Sequence, residues 1–383
     1  MNARSWLRHT FRTLHRHERG QVVVLTAGAM VVLLGFAALA IDIGFFAHTK
    51  RDLQNDADAM ALAGAQELPD TMSADTKAYE WGTNNDVDLA GELVSIEFDT
   101  TCSGQSEPNT ITVRLERTHP TYLARVLGIT EGTMHACATA GRFSVGGGSG
   151  VVPWALEDTC FVQPGLGDPY TLKYDSGATG GACDSHRGNF AAVGVDEFGS
   201  GPNCTSIPGP DEERKYRKAI CFGAIRDLCT ATATACVGEA GDDCASHPVS
   251  DHELCTETGN MTGPTKDGVQ YRISHTSAAC DTWEEVTLQT GGLNPDCNPW
   301  VPGGPPYASQ RVIMIPIVHG LWDSGGRHKA TIVDFAVFFL EAPPQCTGNN
   351  CDITGRFIEM ALSGTHRAPF DPDSALTTVA LIE

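Results

Sequence analysis

The chain has 383 residues, enough for two compact domains besides a terminal segment, and its 41 glycines and 21 prolines indicate a folded, turn-rich protein. The formal net charge is −21, although residues 1–19 carry five arginines against one glutamate. The acidic body repels nucleic acid and anionic membrane surfaces alike, so no nucleic-acid partner is expected for it.

The basic head, residues 1–19, precedes the apolar part of the chain. Arg4, Arg8, Arg12 and Arg16 recur every fourth residue, which places them on one face of a helix. This face either lies on anionic lipid headgroups or belongs to a solvated basic tail.

An uncharged segment of 22 residues follows the head, from Gly20 to Ile41. As a helix it spans about 33 Å, enough to cross a hydrocarbon core of about 30 Å. We predict one transmembrane helix over residues 20–43, anchored by a set of mainly apolar residues: Gly20, Val22, Leu25, Leu33, Gly35, Phe36 and Ile41. Because the arginines precede it, the N-terminus is expected in the cytoplasm and the bulk outside.

A cleaved signal peptide is the alternative, because Ala38-Leu39-Ala40 fits a small-x-small cleavage pattern. The length of the apolar run and the helical pattern that continues through residues 45–66 favour a retained anchor. In that continuation one helical stripe is apolar or small, and Pro69 ends the run; the stripe consists of Leu53, Ala57, Met60, Ala61 and Gly64.

Three motifs mark residues 18–66. Arg19-Gly20 opens the apolar helix, Ala40-Ile41-Asp42-Ile43-Gly44 closes it, and Leu53-Gln54-Asn55-Asp56-Ala57-Asp58-Ala59 follows. This combination resembles the N-terminal segment of the TadG-like family of Flp (tight-adherence) pilus assembly proteins. The resemblance implies a membrane-resident accessory or structural component at the cell surface, with other pilus-assembly proteins as its partners.

The resemblance also bears on how the helix meets partners. Type IV prepilins carry a Glu five residues after the Gly at which they are cut, whereas Leu25 stands there in this chain, which argues against a filament subunit. Asp42 either engages another subunit or is solvated at the membrane interface. The small residues Gly28, Gly35 and Gly44 allow close packing of another helix.

Residues 44–145 are expected to form the helix extension and a small α+β domain. The pattern predicts a helix over 75–85, strands over 93–98, 109–118 and 133–143, and a short helix through 122–127 that Gly128 ends. Cys102 and Cys137 are the only cysteines in this part of the chain, so we predict a disulfide between them.

Residues 146–150, GGGSG, are expected to be a flexible linker, with a tight glycine turn as the alternative. Beyond them, residues 151–383 hold the other 12 of the 14 cysteines and should form a disulfide-rich, mainly β extracytoplasmic domain. No C-x-x-C pair is present, which favours disulfides over structural metal. Four apolar strands are predicted for its core sheet: 311–318, 330–341, 356–362 and 377–382.

The sequence lacks G-x-S-x-G, P-loop, dinucleotide-binding and H-E-x-x-H patterns, and its histidines are scattered. We therefore expect no catalytic residues, no metal, no cofactor and no small-molecule substrate. Two hypotheses compete with the assembly role. In the first, residues 151–383 are an adhesin or ligand-binding module displayed on a pilin-like anchor. The second, an extracytoplasmic hydrolase, is the weakest because no nucleophile–base pair stands out.

Overall fold

The structure is a computed structural model that describes residues 3–161, 167–174, 189–195, 204, 211–224, 227–233, 252–257, 259–288, 293–300, 309–322, 327–358, 360–361, 366–372, 374 and 376–382. A long N-terminal helix leads into a mixed α/β body with two sheets, which confirms the predicted fold class. The chain divides into two compact units, residues 1–141 with 381–383, and residues 142–380.

The first unit contains two helices and an antiparallel meander. Its elements are α1 (Ala3–Ala65), α2 (Thr71–Asn84), β1 (Leu93–Thr100), β2 (Ser106–Pro120) and the first part of β3 (Glu131–Gly148). With 63 residues, α1 is about 95 Å long. A short 3-10 helix, Ala124–Leu127, lies between β2 and β3, and Gly128 ends it with a φ of 87°. The helix predicted from residue 75 begins at Thr71, because Asp70 caps the amides of Met72 and Ser73.

The second unit is larger and richer in strands. After the end of β3, its helices are α3 (Asp211–Phe222), α4 (Thr262–His275) and α5 (Trp283–Val286), with a 3-10 turn at Pro295–Cys297. Its further strands are β4 (Trp154–Glu157), β5 (Pro169–Tyr174), β6 (Asn189–Gly194), β7 (Leu228–Cys229), β8 (Glu253–Thr256), β9 (Val312–His319), β10 (Lys329–Leu340), β11 (Gln345–Thr347), β12 (Asn350–Ile358), β13 (Met360–Ala361), β14 (His366–Ala368) and β15 (Leu376–Leu381).

Six strands of this unit are hydrogen-bonded in a closed circuit, in the order β12, β5, β6, β4, β9, β10 and back to β12. Side chains alternate along these strands, so Ile313 and Ile315 join one core cluster while Val312 and Met314 join another. Of the four strands predicted for the core sheet, 311–318 and 330–341 correspond to β9 and β10 in this circuit, whereas 356–362 covers the end of β12 and all of β13, which lies in the other sheet. The fourth, β15, pairs in parallel with β13 in the other sheet.

The glycine run, residues 146–150, is expected from the sequence to be a flexible linker, but its first three glycines lie in a strand. Gly146, Gly147 and Gly148 are the last residues of β3 and are buried, and the division between the units falls earlier, after residue 141. A Cβ atom at Gly146 would be 2.7 Å from the backbone of Arg367, and one at Gly147 would be 2.6 Å from the carbonyl oxygen of Leu228. The glycines therefore permit a close approach of neighbouring backbones.

Disulfides join Cys102 to Cys137, Cys204 to Cys221, Cys280 to Cys297 and Cys346 to Cys351. No cysteine among the described residues is free. The first of these bonds is the pairing predicted from the sequence, and its Cα atoms are 5.9 Å apart.

Candidate functional site at the membrane end of the first helix

The apolar segment, residues 20–41, lies in the middle of α1, and its described side chains pack against no other part of the described chain. Among its predicted anchor residues, the side chains of Val22, Leu25, Leu33, Phe36 and Ile41 are 58% to 71% exposed. Among the described residues, α1 is the one helix that is both long enough and apolar enough to cross a membrane. The mean hydropathy of its most apolar window is 2.6. Exposed apolar surface of this extent is expected to be covered by lipid.

Asp42, the residue after the apolar segment, is buried and is engaged by its own chain. Its carboxylate accepts hydrogen bonds from three consecutive backbone amides at the start of the 3-10 helix: Tyr122 at 3.0 Å, Leu123 at 3.0 Å and Ala124 at 2.6 Å. Amides at the start of a helix have no carbonyl acceptor within that helix, so the carboxylate supplies the missing acceptor. We call residues 121–130 the capped loop.

An aromatic cluster lies beside this contact. The ring of Phe45 is 4.3 Å from that of His119 and 5.5 Å from that of Tyr122, measured between centroids. On the next residue of α1, the ring of Phe46 would be 2.9 Å from a Cβ atom at Gly132, so this glycine lets the ring pack on β3. The cluster and the Asp42 contact together fix the β2–β3 hairpin tip to the end of the apolar segment.

The last third of α1, residues 45–65, packs on the rest of the first unit, and we call it the docking half. Each residue of the predicted stripe is buried, as the 3.6-residue period requires: Leu53, Ala57, Met60, Ala61 and Gly64. A Cβ atom at Gly64 would lie 2.6 Å from Cδ1 of Ile111 in β2, so the helix and the sheet are in close contact there. Gln54 adds a directional contact by donating to the carbonyl oxygen of Cys137 at 2.9 Å and to Asp58 at 2.8 Å.

One partly buried ion-pair network joins the docking half to the sheet. Arg117 in β2 donates two hydrogen bonds to Glu92, at 2.6 and 2.7 Å, and one to Asp56 in α1 at 3.4 Å. The hydrogen bond to Glu92 raises the pKa of the Arg117 guanidinium, while burial raises the pKa of the Asp56 carboxyl. No periodic pattern in the sequence identifies this network, because Asp56 lies in α1, Arg117 in β2 and Glu92 in the turn before β1.

The three glycines predicted to meet a helix partner differ from Asp42. A Cβ atom at Gly28, Gly35 or Gly44 would have no atom within 4 Å from the described chain beyond the adjacent turns of its own helix. These positions are therefore open to a partner, whereas the carboxylate of Asp42 is already occupied by the capped loop. In the structure the carboxylate of Asp42 forms an intramolecular cap, and a contact of this residue with another subunit stays a prediction.

The second unit contains a carboxylate–histidine cluster that the sequence did not reveal. Glu157, Asp158 and His319 place their ligand atoms within 4.8 Å of one another, close enough to hold one metal ion. Nδ1 of His319 is 3.1 Å from Oδ2 of Asp158, and the Glu157 carboxylate accepts hydrogen bonds from the amides of Gly320 and Leu321. Burial raises the pKa of the Glu157 carboxyl. The same geometry serves an ion pair between Asp158 and protonated His319.

A surface cleft of about 400 Å³ lies between α3 and α4 in the same unit. Arg217 and Asp267 form an ion pair in it at 3.3 Å, and the rings of Tyr271 and His275 stack at 3.9 Å. The cleft has the size of a small-ligand site and contains both charged and aromatic groups.

Residues 20–67 match the model of the Tad family, described as TadE/G-like Flp pilus assembly. The chain carries an N-terminal Tad domain. This finding confirms the resemblance noted in the sequence. No curated protein and no solved structure matches the chain. The Tad domain covers the apolar segment, Asp42 and the docking half of α1, so it includes Asp42 and Gln54, two motif residues that bond to the β2–β3 hairpin.

Proposed function

We propose that this protein is a membrane-anchored, non-catalytic structural component of Flp/Tad-type pilus assembly. The observation that carries the proposal is the Tad match over residues 20–67, which coincides with the exposed apolar segment and the docking half of α1. The arginines before the segment favour a cytoplasmic N-terminus, and the disulfides favour an oxidising compartment for the rest. Gly28 and Gly35, seven residues apart on one helix face, offer a contact for another membrane helix.

Deletion of the gene should reduce surface pili, counted by electron microscopy, and the wild-type gene should restore them. A sharper test uses the double variant Gly28→Leu and Gly35→Leu, which should not restore pili because the added side chains hold a partner helix away. Met30→Leu with Ala37→Leu is the matched control, since these positions are also seven apart but lie on the opposite face. Normal piliation in the deletion strain would rule the proposal out.

A second candidate function is a ligand-binding or adhesive module in residues 142–380, displayed on the same anchor. The cleft between α3 and α4 favours it, and this unit lies outside the Tad match. The full-length protein in lipid nanodiscs should then bind a surface glycan or peptide by itself, and Tyr271→Ala should weaken that binding. An assembly component would instead co-purify with other pilus-assembly proteins and bind no surface glycan or peptide by itself.

A further inference from the structure

The capped loop exposes apolar side chains to a degree that is unusual for a surface turn. Tyr122 is 56% exposed, Leu123 is 39% exposed and Ile129 is 55% exposed. The sequence from residue 122 to 129, YLARVLGI, contains a single charged residue, Arg125. Loop tips that meet only water are normally built from Gly, Asn, Asp, Ser and Pro. This composition therefore calls for an apolar or amphipathic neighbour.

The position of the loop along α1 indicates which neighbour it meets. The loop is bonded to Asp42, and the flanking residues Ile41 and Ile43 are exposed apolar side chains. Because a helix rises 1.5 Å per residue, the loop amides and the last residues of the apolar segment lie within a few ångströms of one level along the helix axis. The apolar surface of the helix end is thus continued by that of the loop.

The loop is also rigid enough to present these side chains in a fixed way. The amide of Thr121 donates to the carbonyl oxygen of Thr130 at 3.0 Å, which closes the loop at its base. Within it, Ile129 donates to the carbonyl oxygen of Ala124 at 3.2 Å, and Gly128 adopts the left-handed conformation that ends the 3-10 helix. Together with the Asp42 cap, these bonds hold Tyr122 and Ile129 at the helix end.

We propose that the capped loop is a second membrane contact, which inserts Tyr122, Leu123 and Ile129 into the headgroup–acyl boundary of the bilayer that α1 enters. Its occupant is phospholipid. Continuity with the apolar segment carries this assignment, and a tyrosine and an arginine beside apolar side chains are typical of the membrane interface. The contact depends on apolar insertion, so it is compatible with the acidic charge of the remaining chain. It rests on the proposed anchoring of residues 20–43.

The contact would fix the orientation of the first unit on the membrane. A single helix leaves the attached domain free to rotate and tilt, whereas a second insertion point beside the helix removes much of that freedom. The capped loop therefore orients the helix extension and the β2–β3 hairpin relative to the membrane surface.

Photo-crosslinking to lipid tests the proposal in the full-length protein. The photoreactive residue p-benzoylphenylalanine is placed in turn at Tyr122, at Ile129, at Leu39 and at Met72, and each protein is reconstituted into phospholipid vesicles. Leu39 lies within the apolar segment and is the positive control. Met72, an exposed apolar residue at the start of α2, is the negative control, because α2 packs near Gly64, roughly 33 Å along the helix axis from Asp42. Non-reducing peptide mapping of the Cys102–Cys137 disulfide checks folding.

After irradiation, positions 122 and 129 should gain the mass of one phospholipid, as position 39 does, and position 72 should not. A lipid adduct at 39 without one at 122 and 129 would overturn the second contact while leaving the anchor intact. Crosslinks from 122 and 129 to protein would likewise overturn it and assign the loop to a protein partner. Absence of an adduct at 39, with extraction of the protein by alkaline carbonate, would refute the anchor itself and so the proposed function.

Discussion

Asp334 offers a sharp test of the fold of the second unit, because its charge is poorly accommodated there. It lies in β10 beside a β-bulge and accepts hydrogen bonds from its neighbour Phe335 at 2.7 Å and from Ser374 at 2.9 Å. Ser374 is also 3.0 Å from the carbonyl oxygen of Leu376, and its hydroxyl has one proton to donate. A protonated Asp334 would relieve this competition, because it could itself donate to Ser374.

Burial raises the pKa of Asp334 from 3.8 to about 7, and the nearby Asp371 adds to the shift. The folded protein therefore holds a proton that the unfolded chain releases near pH 4. Retention of this proton stabilises the folded state. Its contribution to the free energy of unfolding is fully present below pH 4 and is lost as the pH rises to about 7. Three pKa units correspond to about 4 kcal/mol, and the residual solvent exposure of the side chain reduces the expected effect to about 2 kcal/mol.

Asp334→Asn removes the charge and keeps an oxygen that can accept the hydrogen bond from Phe335. We expect the variant to match the wild type in stability at pH 3.5, below the unfolded-state pKa of 3.8, and to be more stable at pH 8. For a unit of this size, about 2 kcal/mol corresponds to a Tm difference of roughly 4 to 8 °C. The measurement is thermal unfolding of the detergent-solubilised protein at both pH values. Asp352→Asn, an exposed position in β12, controls for the substitution itself and should change the Tm little. A wild-type-to-variant difference that does not vary with pH would refute the reasoning.

Three further predictions concern the first unit. Asp42→Ala removes the acceptor for the amides of residues 122–124, so their hydrogen exchange should accelerate roughly 2- to 30-fold, as for loss of about 0.5–2 kcal/mol at a helix cap; unchanged exchange would contradict the cap. Arg117→Met leaves Glu92 and Asp56 without their cation, so it should lower the free energy of unfolding, measured in urea, by about 2 kcal/mol. The control Lys77→Met breaks an exposed ion pair and should lower it by less than about 0.5 kcal/mol. Gly64→Ala should lower the free energy of unfolding by about 1–3 kcal/mol in the same assay, because its Cβ would overlap Ile111 and Ala74. Gly35→Ala is the control and should leave it unchanged, since a Cβ there would meet no other described part of the chain.

Periodic features of the sequence were predictable because they are read within one element. The stripe from Leu53 to Gly64 is buried where a 3.6-residue repeat puts it, and the apolar runs at 311–318 and 330–341 are β9 and β10. The alternation in 109–118 likewise gives β2, whose Ile111, Val113 and Leu115 are buried. Each of these predictions needed only the apolar pattern of neighbouring residues.

Contacts between distant residues could not be predicted in the same way. Asp42 is 80 residues from Tyr122, and Asp158 is 161 residues from His319, so no local pattern marks either pair. The glycine run at 146–150 was misleading for a related reason. Its composition is that of a linker, yet Gly146 and Gly147 lie where the chain must pass close to Arg367 and Leu228, and only the tertiary structure brings those residues near.

The placement of the Tad motif residues indicates where partners should be sought. Asp42 and Gln54 are 12 residues apart on α1, about 18 Å along its axis, and both bond to the β2–β3 hairpin, at its tip and at Cys137. Two directional contacts so far apart define the position of the hairpin along the helix, and the buried stripe between and beyond them supplies the apolar contact energy. These motif positions are thus accounted for within the chain. We expect a partner helix to contact positions that the chain leaves open, such as Gly28 and Gly35, which lie seven residues apart on one face of the apolar segment.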